Sequence, residues 1–409
     1  LDALAGRLGV AAERSPDPAR LAELVAQVDA VVPAPGLPER HPVFAAAGAA
    51  GRPVLSEFDL AAAWDDRPVL AVTGTNGKTT VTLLVEQMLL ASGVRTVAVG
   101  NLDVPLVAAV SDPSPECFVV EASSFRLAHS RWFRPSAAVW LNFAEDHLDV
   151  HTDMARYRSA KARIWSDQGP GDVAVVAADD PVVAAAAPTD GPTVVRFGLT
   201  AEVDGTAVDF HVADGRLVGP DGLDLVGVDD LWRSLPHDCT NALAAAATAL
   251  AGGATVEGVR SALRAFRGLP HRVELVADVD GVRWYDDSKA TAPHATLAAV
   301  GGFASVVLVA GGRNKGLDLS VLGAASDRVR AVVGIGESAD EVLAALPDRP
   351  ARTASSMAEA VAAAADLARP GDVVLLSPGC ASFDWYGSYA ERGDDFARHV
   401  RLLAAEVVP

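Results

Sequence analysis

Lysine is nearly missing from this chain of 409 residues. Of its 34 basic residues only Lys78, Lys161, Lys289 and Lys315 are lysine, and arginine fills the other positions. A guanidinium is a planar fork that stays charged, whereas an ammonium is a compact charge with a titratable lone pair, so a sequence that has given up lysine elsewhere keeps it where an amine is required. Cysteine is also scarce. Cys117, Cys239 and Cys380 stand alone with no CxxC spacing, which excludes a disulfide framework and a cysteine zinc site and points to a reducing compartment. No run of about 18 apolar residues occurs, so a membrane-spanning helix is not expected. Asp2, Arg7, Glu13 and Arg14 interrupt the first fifteen residues where a signal peptide would be apolar, and a cytoplasmic protein is expected. Basic excess is lacking as well: the net charge is −19 and the isoelectric point about 4.8, which argues against nucleic acid or any other polyanion as partner. A small phosphorylated ligand, held by one loop, remains compatible with that charge.

What is present is apolar substance. At 42.2 kDa, half hydrophobic and with mean hydropathy +0.23, the chain can bury large cores in two to three domains. Short apolar runs alternate with helical stretches, the pattern of an α/β protein. PVLAVTG, ECFVVEAS and SAAVWLNF are near-continuous apolar runs of strand length, as parallel strands covered on both faces should be. Residues 193–228 read as short strands with Gly and Asp turns, an antiparallel patch, and residues 241–267 as helix. From GLPHR onward a new alternating unit opens, with strands at RWYDDS, SVVLVAGG, VRAVVGIG and DVVLLSPG. The first 67 residues differ. Residues 28–36 and 53–60 read as strand ends, yet no glycine-rich first strand and turn precede them, so the chain is expected to enter partway through a nucleotide-binding α/β unit.

Chemistry gathers where the apolar runs end. Lys78 lies in VTGTNGKTT, between a strand and the helical TVTLLVEQMLLA. Gly74, Thr75, Asn76 and Gly77 can turn backbone N–H groups toward phosphate oxygens at a helix start, Lys78 adds charge, and Thr79 can place a hydroxyl on Mg²⁺. The general phosphate-loop pattern has glycine at the position of Val72, so this is a variant of it. Glu121 ends an apolar strand, where a lone carboxylate is costly unless a cation meets it, and Mg²⁺ held by Thr79, Glu121 and phosphates fits that metal's preference for oxygen. His147, in NFAEDHLDVH, reads either as a surface residue or as a ligand steered by neighbouring carboxylates. Lys161, in the helical DMARYRSAKARIW, reads either as a surface ion-pair partner or as an inward amine of lowered pKa. Such an amine could take up CO₂ as a carbamate and ligate a second metal.

GTNGKTT, EASSF, NFAEDHLD, YRSAK, HDCTNALAA, GLPHR, DDSKAT and SPGCASFDWY occur in that order over essentially the whole chain, and together they resemble the Mur ligases of peptidoglycan synthesis. DDSKAT and GCASFD lean toward the branch that adds D-glutamate. The resemblance implies three domains: a partial Rossmann-like unit for the uridine nucleotide over 1–67, a P-loop ATPase over 68–268 and a Rossmann-like amino-acid unit over 269–409. It implies that Lys78, Thr79 and Thr80 hold ATP phosphates, that Thr79 and Glu121 bind one Mg²⁺, and that His147 and carbamylated Lys161 bind another. Asn241, Arg272 and Asp287 would meet adenine, phosphate and ribose. Asn101 and Ser123 would serve the muramoyl substrate, and Lys289, Thr291, Lys315, Ser382, Phe383 and Tyr389 the D-glutamate. Ala34, Asp238 and Ala292 depart from the serine, asparagine and asparagine usual there.

The implied activity, with Lys78, His147 and Lys161 at its centre, is ATP-dependent amide formation. A monomer would join D-glutamate to UDP-N-acetylmuramoyl-L-alanine through an acyl phosphate. Two alternatives are another ligase of the superfamily, such as a folylpolyglutamate synthetase, and a non-catalytic nucleotide-binding scaffold. All four lysines fall on positions to which the resemblance gives a function.

Overall fold

A computed structural model describes residues 5–7, 9, 10, 12–148 and 150–407; part of the charged first fifteen residues and Asp149 of NFAEDHLDVH lie outside that set. Two six-stranded sheets organise it. The first contains β1 (Val69–Thr73), β2 (Thr96–Gly100), β3 (Cys117–Glu121), β4 (Ala137–Trp140), β5 (Val173–Ala177) and β6 (Thr193–Phe197), in the order β2-β3-β1-β4-β5-β6 and all parallel. Every residue of β3 and β4 is buried, because helices cover both faces of a parallel sheet, and this is why the two read as unbroken apolar runs. The helix Pro236–Ala251 buries Ala242, Ala244, Ala245, Ala246, Ala247 and Ala249, side chains small enough to let it lie close to β4, β5 and β6. Strand order turns around β1, with β3 on one side and β4 on the other. A crevice for ligands opens at such a point, beyond the carboxyl ends of the strands.

Residues 193–228 divide differently from the sequence expectation. Thr193–Phe197 is not part of the antiparallel patch; it follows the short helix Pro181–Ala185 and adds to β5 in parallel, as a crossover permits. The patch itself comprises β7 (Glu202–Val203) with β8 (Thr206–Ala207), and β9 (His211–Ala213), β10 (Arg216–Gly219) and β11 (Leu223–Gly227). Asp204-Gly205 and Asp214-Gly215, all with positive φ, make the two tight hairpin turns.

The second sheet contains β12 (Glu274–Val279), β13 (Val282–Asp286), β14 (Val306–Gly311), β15 (Val329–Ile335), β16 (Ala351–Ala354) and β17 (Val373–Leu376), in the order β12-β13-β17-β14-β15-β16. Only β12 is antiparallel to its neighbour. Separate apolar clusters, one around Val300, Leu308 and Leu375 and another around Trp284, Val309 and Phe396, fill its two faces. β12 and β16 were not foreseen: both are edge strands, largely exposed, and lack the apolar run that marks a central strand.

Ahead of the first sheet lie the helices Pro18–Ala26, Pro42–Ala49 and Glu57–Trp64. The strand ends expected at 28–36 and 53–60 reduce to one parallel bridge, Val31 to Val54. The second of them turns into helix at Glu57 because Ser56 and Asp59 form a capping box, each side chain accepting from the other's end of the first turn. Asp59 is fully buried. Its carboxylate accepts from the backbone N–H of Ser56 (2.8 Å), Arg131 (2.6 Å) and Trp132 (2.8 Å), fastening this helix to the loop before β4. Removing it strands three donors. Asp59→Ala should therefore lower unfolding free energy by about 2–4 kcal/mol in urea denaturation, with the folded circular-dichroism spectrum unchanged.

Candidate active site

The loop Gly74–Gly77 connects β1 to the helix Lys78–Ala91, and its shape is set from the neighbouring strand. Asn142, just past β4, accepts on Oδ1 from the N–H groups of Thr75 (3.0 Å) and Asn76 (2.8 Å) and donates from Nδ2 to the Asn76 carbonyl (3.2 Å). Gly77 precedes the helix with φ +81°, and a Cβ there would sit 2.5 Å from Asn241 Oδ1. The glycine thus lets Asn241, from the helix Pro236–Ala251, touch the loop. No side chain caps this helix start, which leaves N–H groups and the positive end of the helix dipole for an anion.

Lys78 and Lys161 meet at one backbone oxygen. Lys78 Nζ donates to the carbonyls of Gly74 (2.9 Å) and Thr75 (2.9 Å), and Lys161 Nζ donates to the same Gly74 carbonyl (2.6 Å). Lys161 is 1% exposed and lies over the Tyr157 ring at 4.7 Å, so the surface ion-pair reading is overturned. Helix Met154–Ala162 carries it inward because Tyr157, Ala160 and Lys161 form its buried side. Burial, and then the charge of Lys78, push the Lys161 amine well below its ordinary pKa, against the opposing pull of Asp146 and Glu121. Burial lowers Lys78 as well.

Glu121 is 3% exposed at the end of β3. One carboxylate oxygen accepts from Asn101 Nδ2 (3.0 Å), whose own Oδ1 accepts from Arg126 Nη1 (2.9 Å), while Glu121 Oε2 is buried without a hydrogen-bond partner. A buried carboxylate oxygen in that state is an acceptor for a cation. Thr79 Oγ1 accepts from Arg272 Nη2 at 2.9 Å, a contact between the first sheet's helix and the loop leading into the second sheet. His147 has φ +57° and its Nε2 is 3.5 Å from Asp146 Oδ2, with Phe125 against the ring at 4.7 Å.

A cavity of about 590 Å³ joins these groups to the second sheet. Lys78, Thr79, Asn101, Glu121, Asp146 and His147 line one wall, and Arg272, Lys289, Thr291 and Tyr389 the other. Lys289 Nζ lies over the Tyr389 ring at 4.9 Å. A second cavity of about 270 Å³ adjoins the loop on the far side of Gly77; Thr80, Asn241, Arg272 and Asp287 line it with Trp232 and His237. Asp287 is nearly fully buried, and burial raises its pKa to about 7 against the opposing hydrogen bond from Ser377 Oγ (2.7 Å) and the charges of Arg272 and Arg233.

Some expected residues stay apart. Lys315 is exposed, Phe383 is 60% exposed, and neither lines these two cavities; Ser382 is buried outside them. Ser123 is buried at the start of the short helix Ser124–Leu127, its Oγ unpartnered. His271, Glu274 and Asp286 also form a group with metal-capable side chains, but they satisfy one another. His271 Nδ1 is 2.6 Å from Asp286 Oδ2, which raises the imidazole pKa, and Glu274 accepts from the His271 N–H.

Asn142 and Tyr157 escaped the sequence reading, although both stand inside quoted motifs. Tyr157 also bonds the loop, its hydroxyl lying 3.2 Å from Thr75 Oγ1. Asp238, a departure from the usual asparagine, has a local explanation. It is 1% exposed and pairs through both oxygens with Arg233 (2.6 and 2.7 Å), which also donates to the Arg272 and Val273 carbonyls.

A phosphate-type loop on a parallel sheet, facing a second sheet's lysine across a polar cavity, defines a class of nucleotide-using ligase. Residues 72–249 match the Mur ligase middle domain and residues 271–380 the Mur ligase glutamate ligase domain, so the chain belongs to the Mur ligase family. Within that family its relatives include the UDP-N-acetylmuramoylalanine--D-glutamate ligase of Frankia casuarinae, 47% identical over 91% of this chain and 80% of the relative. The ligase of the same name from Thermobifida fusca is 42% identical over 93% and 86%. The fold is that of a MurF ligase from Thermotoga maritima solved with ADP (TM-score 0.64, 19% identity, 93% of this chain and 97% of that one). A pseudomurein peptide ligase from Methanothermus fervidus shares it (TM-score 0.64, 16% identity, 94% and 88%). Membership of the family brings ATP use with it.

Gly77→Ala forces a Cβ onto Asn241 at a left-handed position, so nucleotide affinity measured by calorimetry should fall at least about tenfold in a protein that still folds. Asp287 has a folded pKa of about 7 against an ordinary 3.8, so it favours the folded state while protonated and loses that contribution as pH rises from about 4 to about 7. Asp287→Asn should flatten the decline in nucleotide-free stability across that window, measured by urea unfolding at pH 5 and pH 7.5.

Proposed function

We propose that this chain joins D-glutamate to UDP-N-acetylmuramoyl-L-alanine at the expense of ATP, in the synthesis of peptidoglycan. The observation that carries this reading is the 590 Å³ cavity. It sets Lys78, Thr79, Glu121 and His147 of the first sheet against Lys289, Thr291 and Tyr389 of the second, as a reaction between an activated carboxylate and an amino acid requires. The identity of 47% and 42% to two ligases of that name supports the choice of substrates.

In this reading residues 1–67 serve the uridine nucleotide, 68–268 the ATP and 269–409 the amino acid. The separate sheets and cores support the second division. ATP phosphates lie on Gly74, Thr75, Asn76, Gly77, Lys78, Thr79 and Thr80, with Asn241, Arg272 and Asp287 around the nucleoside in the smaller cavity. Asn101 and Ser123 meet the muramoyl substrate, and Lys289, Thr291 and Tyr389 hold D-glutamate in the larger cavity; Lys315, Ser382 and Phe383, which lie outside both cavities in this arrangement, reach it once the second sheet closes on the first. Two Mg²⁺ sites are proposed, one on Thr79 and Glu121 and one on His147 and Lys161. The orphaned Glu121 Oε2 fits the first. The second requires Lys161 as a carbamate: its neutral amine bonds to CO₂ carbon and releases one proton, leaving an anionic carbamate in place of the amine. An amine whose pKa is lowered by burial, and then by the charge of Lys78, is suited to that step.

The divalent ions would neutralise the charge that gathers on phosphate as it moves. This chain's own groups do the rest. Lys78 supports the transferring phosphoryl group, and the muramoyl carboxylate becomes an acyl phosphate. Lys289 neutralises a glutamate carboxylate and leaves the amine free to attack the activated carbonyl, which expels phosphate. Closure of the two sheets on each other, with Arg272 on Thr79 as one contact, keeps water from the acyl phosphate. In this reading the chain works as a cytoplasmic monomer; among the described residues no helix is long and apolar enough to cross a membrane.

Phosphate release from ATP and Mg²⁺ should require both UDP-N-acetylmuramoyl-L-alanine and D-glutamate, with L-glutamate inactive. Release that ignores either substrate would refute the reading. Lys161→Arg, which keeps charge but cannot be carbamylated, should lose activity by on the order of 10²-fold or more in the same assay, and near-normal turnover would remove the carbamate.

A further inference from the structure

Glu39 lies among the residues before the first sheet, yet every polar contact described for its side chain is to the segment that follows His147. Its Oε1 is 2.9 Å from His151 Nδ1, and its Oε2 accepts from the N–H (3.1 Å) and hydroxyl (3.2 Å) of Thr152. Its backbone N–H donates to the Val150 carbonyl at 3.0 Å. His151 is 1% exposed, and its other ring nitrogen is 2.9 Å from Ser124 Oγ, in the short helix that follows β3 and Glu121. One imidazole therefore spans three parts of the chain, with Phe125 stacked at 5.8 Å and Tyr157 at 5.2 Å.

The clamp bears on His147. The N–H groups of Val150 (3.1 Å) and His151 (2.9 Å) both donate to the His147 carbonyl, closing one tight turn. His147 sits in that turn at φ +57°, a left-handed conformation that is uncommon for a residue with a Cβ, although histidine enters it more readily than most. Glu39 grips residues 150, 151 and 152 together, the end of that turn and the residue after it.

We propose that Glu39, acting through His151, is a positioning residue that fixes the turn presenting His147 to the active site. The inference rests on the reading of His147 as a metal ligand. It makes the first segment of the chain a structural part of the metal site, although it contributes no ligand to it. A second-layer acidic group oriented toward a ligand-bearing loop commonly changes metal affinity or activity by about 10–100-fold when removed.

The test uses the full chain with Glu39→Ala, Glu39→Gln and, as a reference, His147→Ala. Hydrogen exchange of the peptide covering residues 144–153 reads the turn directly, without metal or substrate. Glu39→Ala should raise exchange there while peptides of β1, β4 and β5 keep wild-type protection. Mn²⁺ binding in the presence of ADP, followed by electron paramagnetic resonance, should show the weaker site loosened about tenfold and the tighter site unchanged. In steady state kcat should fall about tenfold with the KM for ATP within about twofold, and Glu39→Gln, which keeps one acceptor, should fall between. Unchanged exchange over 144–153 would overturn the proposal, as would equal loss at both Mn²⁺ sites or loss of protection throughout the protein, since either marks a general structural role. If His147→Ala binds Mn²⁺ as wild type does, the ligand reading has failed, and the exchange of residues 144–153 still decides whether Glu39 positions the turn.

Discussion

Two lysine ammonium groups directed at a single backbone carbonyl dominate this molecule. Gly74 supplies the oxygen, Lys78 reaches it from the helix that the loop begins, and Lys161 reaches it from a helix more than eighty residues later. Among the described residues neither amine is hydrogen-bonded to a carboxylate; Glu121 and Asp146 act on them through space. Two like charges so placed are costly in a buried setting, and the cost falls if one amine is neutral or if anions arrive. The depressed amine, the uncapped helix start and the unpartnered Glu121 oxygen are three sides of one condition. Each leaves a charged or polar group short of partners, as a site preorganised for charged ligands would.

Other parts of the fold serve to hold that unfavourable arrangement. Asn142 pins the loop from the adjacent strand, Asn101 and Arg126 hold one oxygen of Glu121, and Asp238 with Arg233 fastens the approach to the second sheet. Arg272 then touches Thr79 across the division between the sheets. Apart from the local Asp238–Arg233 pair, each of these polar side chains bonds to a partner distant in sequence. Nε of Arg126 and Nε of Arg272 are buried without a hydrogen bond, so the set is not fully satisfied, yet its directional bonds fix geometry that apolar packing would leave loose.

The chain's strands and its phosphate loop were legible because their signals are local. Apolar runs at PVLAVTG, ECFVVEAS and SAAVWLNF became central parallel strands, and Gly-Lys-Thr at a strand end became a helix start. Errors fell where a local signal was weak or shared. Thr193–Phe197 has only partial burial, and its pairing partner depends on the crossover before it. β12 and β16 are edges with no apolar run. PVLSEFDL reads as extended because its apolar residues lead, whereas the Ser56–Asp59 capping box governs its second half. Asn142 and Tyr157 carry no pattern of their own, and their role exists only through what they touch.

The sequence by itself determined the kind of fold, the family and the residue types available for chemistry. Those follow from periodicity, from glycine and lysine placed at strand ends, and from motifs that keep their order. Only the tertiary structure decided that Lys161 points inward, that Lys78 and Lys161 share an oxygen, and that Glu121 keeps an unpartnered one. It also brought Glu39 beside His151, 112 residues away. The reason is physical: burial, pKa and hydrogen-bond satisfaction belong to neighbourhoods in space, and a neighbourhood assembled from distant segments has no signature in any one of them.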